Sequence, residues 1–427
     1  MSLRNRELLN LLAVGVITGI GFASVYIARQ STISGASLSY AALFLALYLI
    51  AHLVTRVALP FADPYLLPIA ALLTGVGLTE IYRIDPDLAL RQGLWVVVGL
   101  ALYAALALLL PDYRRLDGVK YVLGVTAIVL LLLPALPVVG QTINGANLWV
   151  NAGPISFQPG EIAKVLFVIF LAGYLRDNRE MLAGGLARFG LPSAKHFGPL
   201  LVIWGGAMLV LFVSNDLGGG LLYFAVFLAM LYIATGRWAY VVIGLMLFAI
   251  GAYGLYHVVP HVSDRVSIWL DPWNDPFGDG YQLVQSLYAI SSGGLFGTGL
   301  GRGVLLGATG DPYIPFLQTD FIFSAITQEL GLAGAAGVVL LYVLLVYRGF
   351  KIAMLADDGF SKLLAAGLTA TIGIQTFIIL GGVTGLIPLT GITLPFVSYG
   401  GSSIVANFIL LGLLLAVSNR VNARTAR

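Results

Sequence analysis

Twelve stretches of this chain are apolar over lengths close to the roughly 20 helical residues that cross a hydrocarbon core about 30 Å thick. They lie near residues 8–28, 37–55, 64–82, 92–110, 120–140, 160–175, 197–213, 217–234, 238–258, 319–347, 363–382 and 400–418. Backbone in hydrocarbon has no water to bond to, so runs of this length must pair their own amides as spanning helices. The expected fold class is therefore an all-α polytopic membrane protein with about twelve transmembrane helices. Composition agrees: 10% of the 427 residues are charged and the mean hydropathy is +0.94, where soluble domains carry about 25% charged residues. The net charge of +3 gives no bulk attraction to nucleic acid, and the absence of cysteine excludes disulfides and thiolate metal sites. The first run follows Arg4 and Arg6, exceeds the roughly 7–15 apolar residues of a signal peptide and lacks a small-residue cleavage site, so it reads as the first span.

Alternating the connections between two sides places seventeen of the 23 Lys and Arg together, five opposite, and Lys164 within a span. The positive-inside rule then makes both termini cytoplasmic. The connections 141–159, 214–216, 259–318 and 383–399 fall outside the cytoplasm and hold the unusual residues, so the site is expected to face outward. Residues 259–318 far exceed the usual connection of about 4–6 residues, and such loops are commonly functional.

Within that loop, Ser267–Ser286 reads SIWLDPWNDPFGDGYQLVQS and packs Asp271, Asp275 and Asp279 with two Asp-Pro steps, Gly278 and Gly280. Proline restricts the residue before it to extended backbone and glycine permits tight turns, so the acids sit on a stiff, bent loop that can aim a carboxylate. Beyond it Leu283, Val284, Leu287, Tyr288 and Ile290 share a helical face opposite Gln282, Gln285 and Ser286, the pattern of a helix lying in or re-entering the interface. The glycine-rich run SSGGLFGTGLGRGVLLGATG follows; no strand precedes it, so it is no nucleotide loop.

Ionisable groups inside spans are costly and mark either function or a paired partner. Glu161 and Lys164, three residues apart, share a helix face and pair with each other, or Lys164 holds a lipid phosphate. Asp216 in the turn SNDLG and Asp320 before a long helix each read first as helix caps. Trp149, and Trp269 and Trp273 beside the acids, are interfacial anchors or sugar-stacking rings. The Pro- and Gly-rich stretch GLIPLTGITLPFVSYGGSS is a re-entrant turn or a cavity wall offering Ser398, Tyr399, Ser402 and Ser403 as donors.

Four stretches together resemble one family, the SEDS (shape, elongation, division and sporulation) proteins of the RodA, FtsW and SpoVE type. NGANLWVNAGPISFQPGEIAKV, DPWNDPFGDGYQLVQS, IPFLQTDFIFSAITQELG and GLIPLTGITLPFVSYGGSS match its motifs in order over about residues 64–420. Asn147 and Leu148 stand where the family carries basic residues, and Gln318 where it carries histidine. The resemblance implies a ten-helix core over 64–427, with two additional N-terminal helices in 1–63. It also implies a bacterial cytoplasmic-membrane glycosyltransferase that polymerises lipid II for cell elongation or division, paired with a class B penicillin-binding transpeptidase. Its essential loop aspartate corresponds to Asp275, with Asp271 as second choice; Trp149, Glu161, Lys164, Thr319, Asp320 and Ser398 carry over as cavity or substrate positions.

That reaction displaces a polyprenyl pyrophosphate from an α-linked donor to give a β-linked product, so one in-line step with one base suffices. Asp275 is the expected base, as in inverting glycosidases. Lys164, Arg265, Arg302 or a divalent cation, Mg²⁺ or Mn²⁺, would neutralise the leaving group, Lys164 being favoured. The rival readings are a lipid flippase or transporter, for which no inverted repeat is evident, and a non-catalytic scaffold that activates a partner synthase.

Overall fold

The computed structural model describes residues 2–30, 35–110, 112–136, 139–143, 146–153, 155–185, 194–307 and 310–425. In chain order its elements are α1 (Leu3–Gln30), α2 (Gly35–Ala58), α3 (Leu66–Ile84), α4 (Pro86–Leu109), α5 (Arg115–Gly118), α6 (Lys120–Leu132), β1 (Gly140–Ile143), β2 (Ala146–Ala152), β3 (Ile155–Phe157), α7 (Pro159–Asp177) and α8 (Arg179–Gly185). They continue as α9 (Ala194–Val213), α10 (Leu217–Thr235), α11 (Trp238–Val258), α12 (Pro260–Leu270), α13 (Tyr281–Ser292), α14 (Ile322–Leu355), α15 (Gly359–Val383) and α16 (Gly401–Thr425). The protein is thus a helical polytopic membrane protein. Among the described residues, nine helices are long and apolar enough to cross a membrane: α1 to α4, α10, α11, α14, α15 and α16. The other three expected spans fall on α6 and α9, which are shorter in apolar run, and on α7, which carries Glu161, Lys164, Arg176 and Asp177.

Burial sorts the helices. Most of α3, α15 and α16 is hidden, whereas α11 is exposed along nearly its whole length, as befits a helix that faces lipid. Close approach in the centre depends on small residues: a Cβ on Gly77 of α3 would stand 2.2 Å from the Val397 carbonyl oxygen. The expected long helix from 319 starts at Ile322 and is interrupted at Gly331, whose φ of 70° and ψ of −172° only glycine adopts readily. Glycine-rich backbone fills that break. Thr298 and Gly299 amides donate to the Gln328 and Glu329 carbonyls, the Glu329 carboxylate accepts from the Gly301 and Gly303 amides, and Arg83 Nε donates to it at 3.2 Å. The intramembrane acid Glu329 therefore anchors the glycine-rich run.

Both ends of the bundle are clasped by polar contacts. At one end Arg114 and Arg420 meet Asp112, Arg348 meets Asp63, and Arg176 joins Asp117 and Asp177. At the other end gather the sheet, α12, α13 and the segment 384–400. The three-stranded antiparallel sheet, in order β1-β2-β3, adds to the all-α expectation within 141–159. The Asn147 amide donates to the Ser214 carbonyl, which seats the sheet over the turn before α10. Within 259–318 the described residues carry α12 and, after the acids, the expected helix α13. Trp269 Nε1 on α12 donates to the Gly385 carbonyl, and Ser286 Oγ on α13 to that of Val383.

Candidate functional site

Between α10, α11, α12, α15 and residues 387–390 lies a cavity of about 780 Å³. Its walls are apolar, from Phe224 and Phe248 to Phe377 and Ile387, and its two charged linings are Asp216 and Arg265. Each sits there for a local reason. Asn215 takes a left-handed φ of 57°, which turns the chain so that Asp216 caps α10, its Oδ1 accepting from the Gly219 amide at 2.7 Å. The capping expected of Asp216 is thus present. Arg265 lies mid-way along α12, donates from Nη1 to the Leu389 carbonyl at 2.8 Å and from Nε to His261 Nε2 at 3.1 Å. With both bonds made to neutral acceptors, the cation is oriented while its charge is left over.

Asp320 joins this group electrostatically. It does not cap α14, as the sequence suggested, because Phe321 occupies the cap position and the helix start receives no side-chain bond. Burial pushes the Asp320 carboxyl up to about 6, with Thr319 and Arg265 opposing. Burial likewise raises Asp216 to about 6; the Gly219 amide and Arg265 pull it down while Glu161 pushes it further up. Burial lowers the Arg265 guanidinium from its ordinary range, and Asp320 and Asp216 counter that. Reciprocal influence of this kind places Asp216, Arg265 and Asp320 within one field, with Glu161 close enough to act on Asp216.

Lys164 lies beneath. It is buried, donates to Glu161 Oε2 at 2.5 Å and to Gln375 Oε1 at 2.9 Å, and Gln375 passes the chain on to the Thr393 carbonyl. The expected Glu161–Lys164 pair is therefore made, and Lys164 has a further partner in Gln375, a lone amide in an apolar helix whose presence in a span is itself a signal of such contacts. Ser398 Oγ donates to the Thr319 carbonyl and accepts from the Leu394 amide at 2.9 Å. Gln92 clasps the same turn at the Ser398 carbonyl and the Gly400 amide. Phe316 and Phe396, at φ of 59° and 65°, flank Thr319 and Ser398; bulky residues in this region store strain of about 1–3 kcal/mol each, which the surrounding clasps must hold.

Asp271 and Asp275 stand at the exposed end of α12. Asp271 accepts from the Trp273 amide at 3.2 Å, and the two oxygens of Asp275 accept from the Gly278 and Asp279 amides at 3.0 and 3.2 Å. The stiff turn expected of the Asp-Pro steps is thus built on the Asp275 carboxylate itself. Trp149 is half-buried on β2, two residues after Asn147 and so on the same strand face. Arg302 lies apart from the cluster: it is exposed, makes no ion pair among the described residues, and follows Gly301, which packs on Val25 and Ala28 of α1. No set of three His, Asp or Glu side chains among the described residues could hold a metal ion.

Known proteins share this architecture. The family model for the cell cycle proteins FtsW, RodA and SpoVE matches residues 66–423. The peptidoglycan glycosyltransferase RodA of Mycobacterium tuberculosis (strain ATCC 25618 / H37Rv) is 42% identical over 434 residues, covering 97% of this chain and 90% of that protein. The stage V sporulation protein E of Bacillus subtilis (strain 168) is 35% identical, covering 83% of this chain and 96% of its own. Among solved structures, one described as the structural coordination of polymerization and crosslinking by a peptidoglycan synthase complex superposes with a TM-score of 0.69 at 30% identity, over 84% of this chain and 98% of the other. The crystal structure of the rod shape determining protein RodA of Thermus thermophilus gives 0.60 at 27%, over 84% and 96%. With the four motifs in place, the family model spanning most of the chain and the architecture shared, this chain belongs to the FtsW/RodA/SpoVE family, the SEDS proteins.

Proposed function

We propose that this protein is a peptidoglycan glycosyltransferase of the cytoplasmic membrane that joins lipid II units at the outward end of its bundle. The observation that carries this reading is the apolar cavity whose charged lip holds Arg265. A polyprenyl tail fits an apolar groove between helices, and a pyrophosphate fits a guanidinium held at the mouth of that groove. The names of the relatives, peptidoglycan glycosyltransferase among them, support the reaction class.

In the proposed step the acceptor hydroxyl loses its proton to Asp275 and attacks the anomeric carbon of the donor, and the pyrophosphate departs on the opposite face. Each Asp275 oxygen accepts one amide hydrogen and keeps a further lone pair for the hydroxyl. Arg265 and Asp271 are six residues apart on one helix and its end, about 9 Å along the axis. That is the spacing of the second-choice acid from the cation; Asp275 lies four residues further along, in the turn that follows α12. Arg265 takes the leaving-group charge in preference to Lys164, whose charge is already matched by Glu161. The Leu389 carbonyl and His261 hold Arg265 in its place, and Trp149 and Ser398 are proposed for the substrate walls. A class B penicillin-binding transpeptidase is the proposed partner, in keeping with the synthase complex that this fold resembles.

The test is polymer formation from purified lipid II with the partner transpeptidase, comparing wild type with Asp275→Asn, which removes the charge and keeps the shape. Loss of about 10²-fold or more in rate is expected for a base. Equal rates would remove Asp275 from the role and move it to Asp271.

A further inference from the structure

A second recess, of about 320 Å³, lies between α13, Gln328 of α14 and residues 304–305 and 313–317, and shares no lining residue with the first cavity. Ligand pockets run from ~300 Å³ upward, so it has room for one small group. Its wall is fixed: the Leu306–Pro312 bridge and the Tyr313 amide donating to the Leu305 carbonyl close the segment on itself, while Gln282 reaches the Pro315 carbonyl from α13. The floor is fixed too, by Gln328 Nε2 donating to Ser292 Oγ at 2.9 Å.

The lining is distinctive in what it offers. Gln285, Tyr288 and Tyr313 present an amide and two phenols that make no hydrogen bond to the described protein, beside apolar Leu305, Ile314 and Leu317. No charged residue lines it. The substrate proposed above has four chemically different parts. A pyrophosphate or a carboxylate-bearing stem peptide would enter such a recess without a counter-charge, which is costly, and a polyprenyl tail would leave the amide and phenols unpaired. An N-acetylated sugar has hydroxyls and an acetamide for those groups and an apolar ring face for the tyrosines.

We propose that this recess is a saccharide subsite, holding one neutral N-acetylated hexosamine of the glycan strand near the bond-forming loop. The inference rests on the glycosyltransferase reading for its ligand class. Its connection to that loop is physical: α13 follows directly from the Asp275 turn, and Trp273 packs edge-on against Tyr288 with ring centroids 5.6 Å apart. A sugar held here keeps the strand on the enzyme between additions, so occupancy sets product length.

The probe is a soluble neutral saccharide, the β-1,4 tetramer of N-acetylglucosamine, titrated calorimetrically into the purified full-length protein in detergent. Wild type is expected to bind, and Gln285→Leu and Tyr313→Ala each to weaken binding about tenfold, the loss of one good polar or stacking contact. Tyr288→Phe, which removes a single hydroxyl and keeps the Trp273 contact, serves should either of the others lose its thermal transition, and is expected to weaken binding about threefold. In polymerisation from lipid II the same variants should release shorter strands. Absence of tetramer binding by wild type, or variant affinities and strand lengths equal to those of wild type, would overturn the subsite while leaving the polymerase standing. Tetramer binding lost in the variants of a protein that makes no polymer would instead keep the subsite and sink the polymerase reading.

Discussion

Arg265 is placed where a cation costs most and serves best. Its two donated bonds end on a carbonyl and a neutral imidazole, and burial holds the His261 ring below its ordinary range, so the ring stays an acceptor. Replacing it with Gln keeps a donor and removes the charge; a fall of about 10²–10³-fold in lipid II polymerisation is expected, with Arg265→Lys in between because one compact charge cannot make both bonds. Asp216 gives a pH test. Its carboxyl titrates at about 6 in the fold and near 3.8 unfolded, so the folded state binds the extra proton between those values. The penalty for its charge is therefore fully present above pH 6 and gone below about 4. Asp216→Asn, which preserves the cap, should raise the thermal midpoint relative to wild type at pH 7, and the gap should close as the pH falls to 4. A gap constant with pH would show that the charge is not penalised.

The elements that shape the site depend on a few backbone positions. Gly77→Ala drives a methyl into the Val397 carbonyl, so a cost of about 1–3 kcal/mol and a lower thermal midpoint are expected; an unchanged midpoint would mean that the turn carrying Ser398 yields freely. Nine of the spans could be read from hydropathy because lipid leaves the backbone one solution, and the loop helix α13 because it keeps its apolar stripe, whereas α12 was not legible. Glu161 and Lys164 pair as their spacing indicated. The sheet over 140–157 escaped notice: its strands are four, seven and three residues long, too short for alternation to stand out beside Gly and Asn. Asp320 does not cap α14 because the helix begins one residue later than its acid suggests, with Phe321 at the cap position, and a local pattern does not fix such a boundary to one residue. Gln375 and Gln92 act over 211 and 306 residues of chain, and no local pattern reports such contacts.

Across the whole molecule, α1 and α2, which precede the family core, are bound into it rather than appended. Arg4 and His52 share Glu7 at 2.6 and 2.7 Å in a buried cluster, Thr55 meets Tyr103 of α4, and Tyr48 packs on Phe408 of α16. Glu7→Ala leaves two buried partners without their acid, and a loss of about 3–5 kcal/mol is expected, read as a lowered midpoint. The lipid-tail cavity has a consequence of another kind. One of its walls is α11, an apolar helix exposed along nearly its whole length, so on the proposed reading a tail enters sideways from the leaflet and never through water. The enzyme then samples its substrate by diffusion in two dimensions. Its saturation is governed by the mole fraction of substrate among the surrounding lipids, and adding inert lipid or detergent at fixed total substrate should slow it as dilution of a surface does.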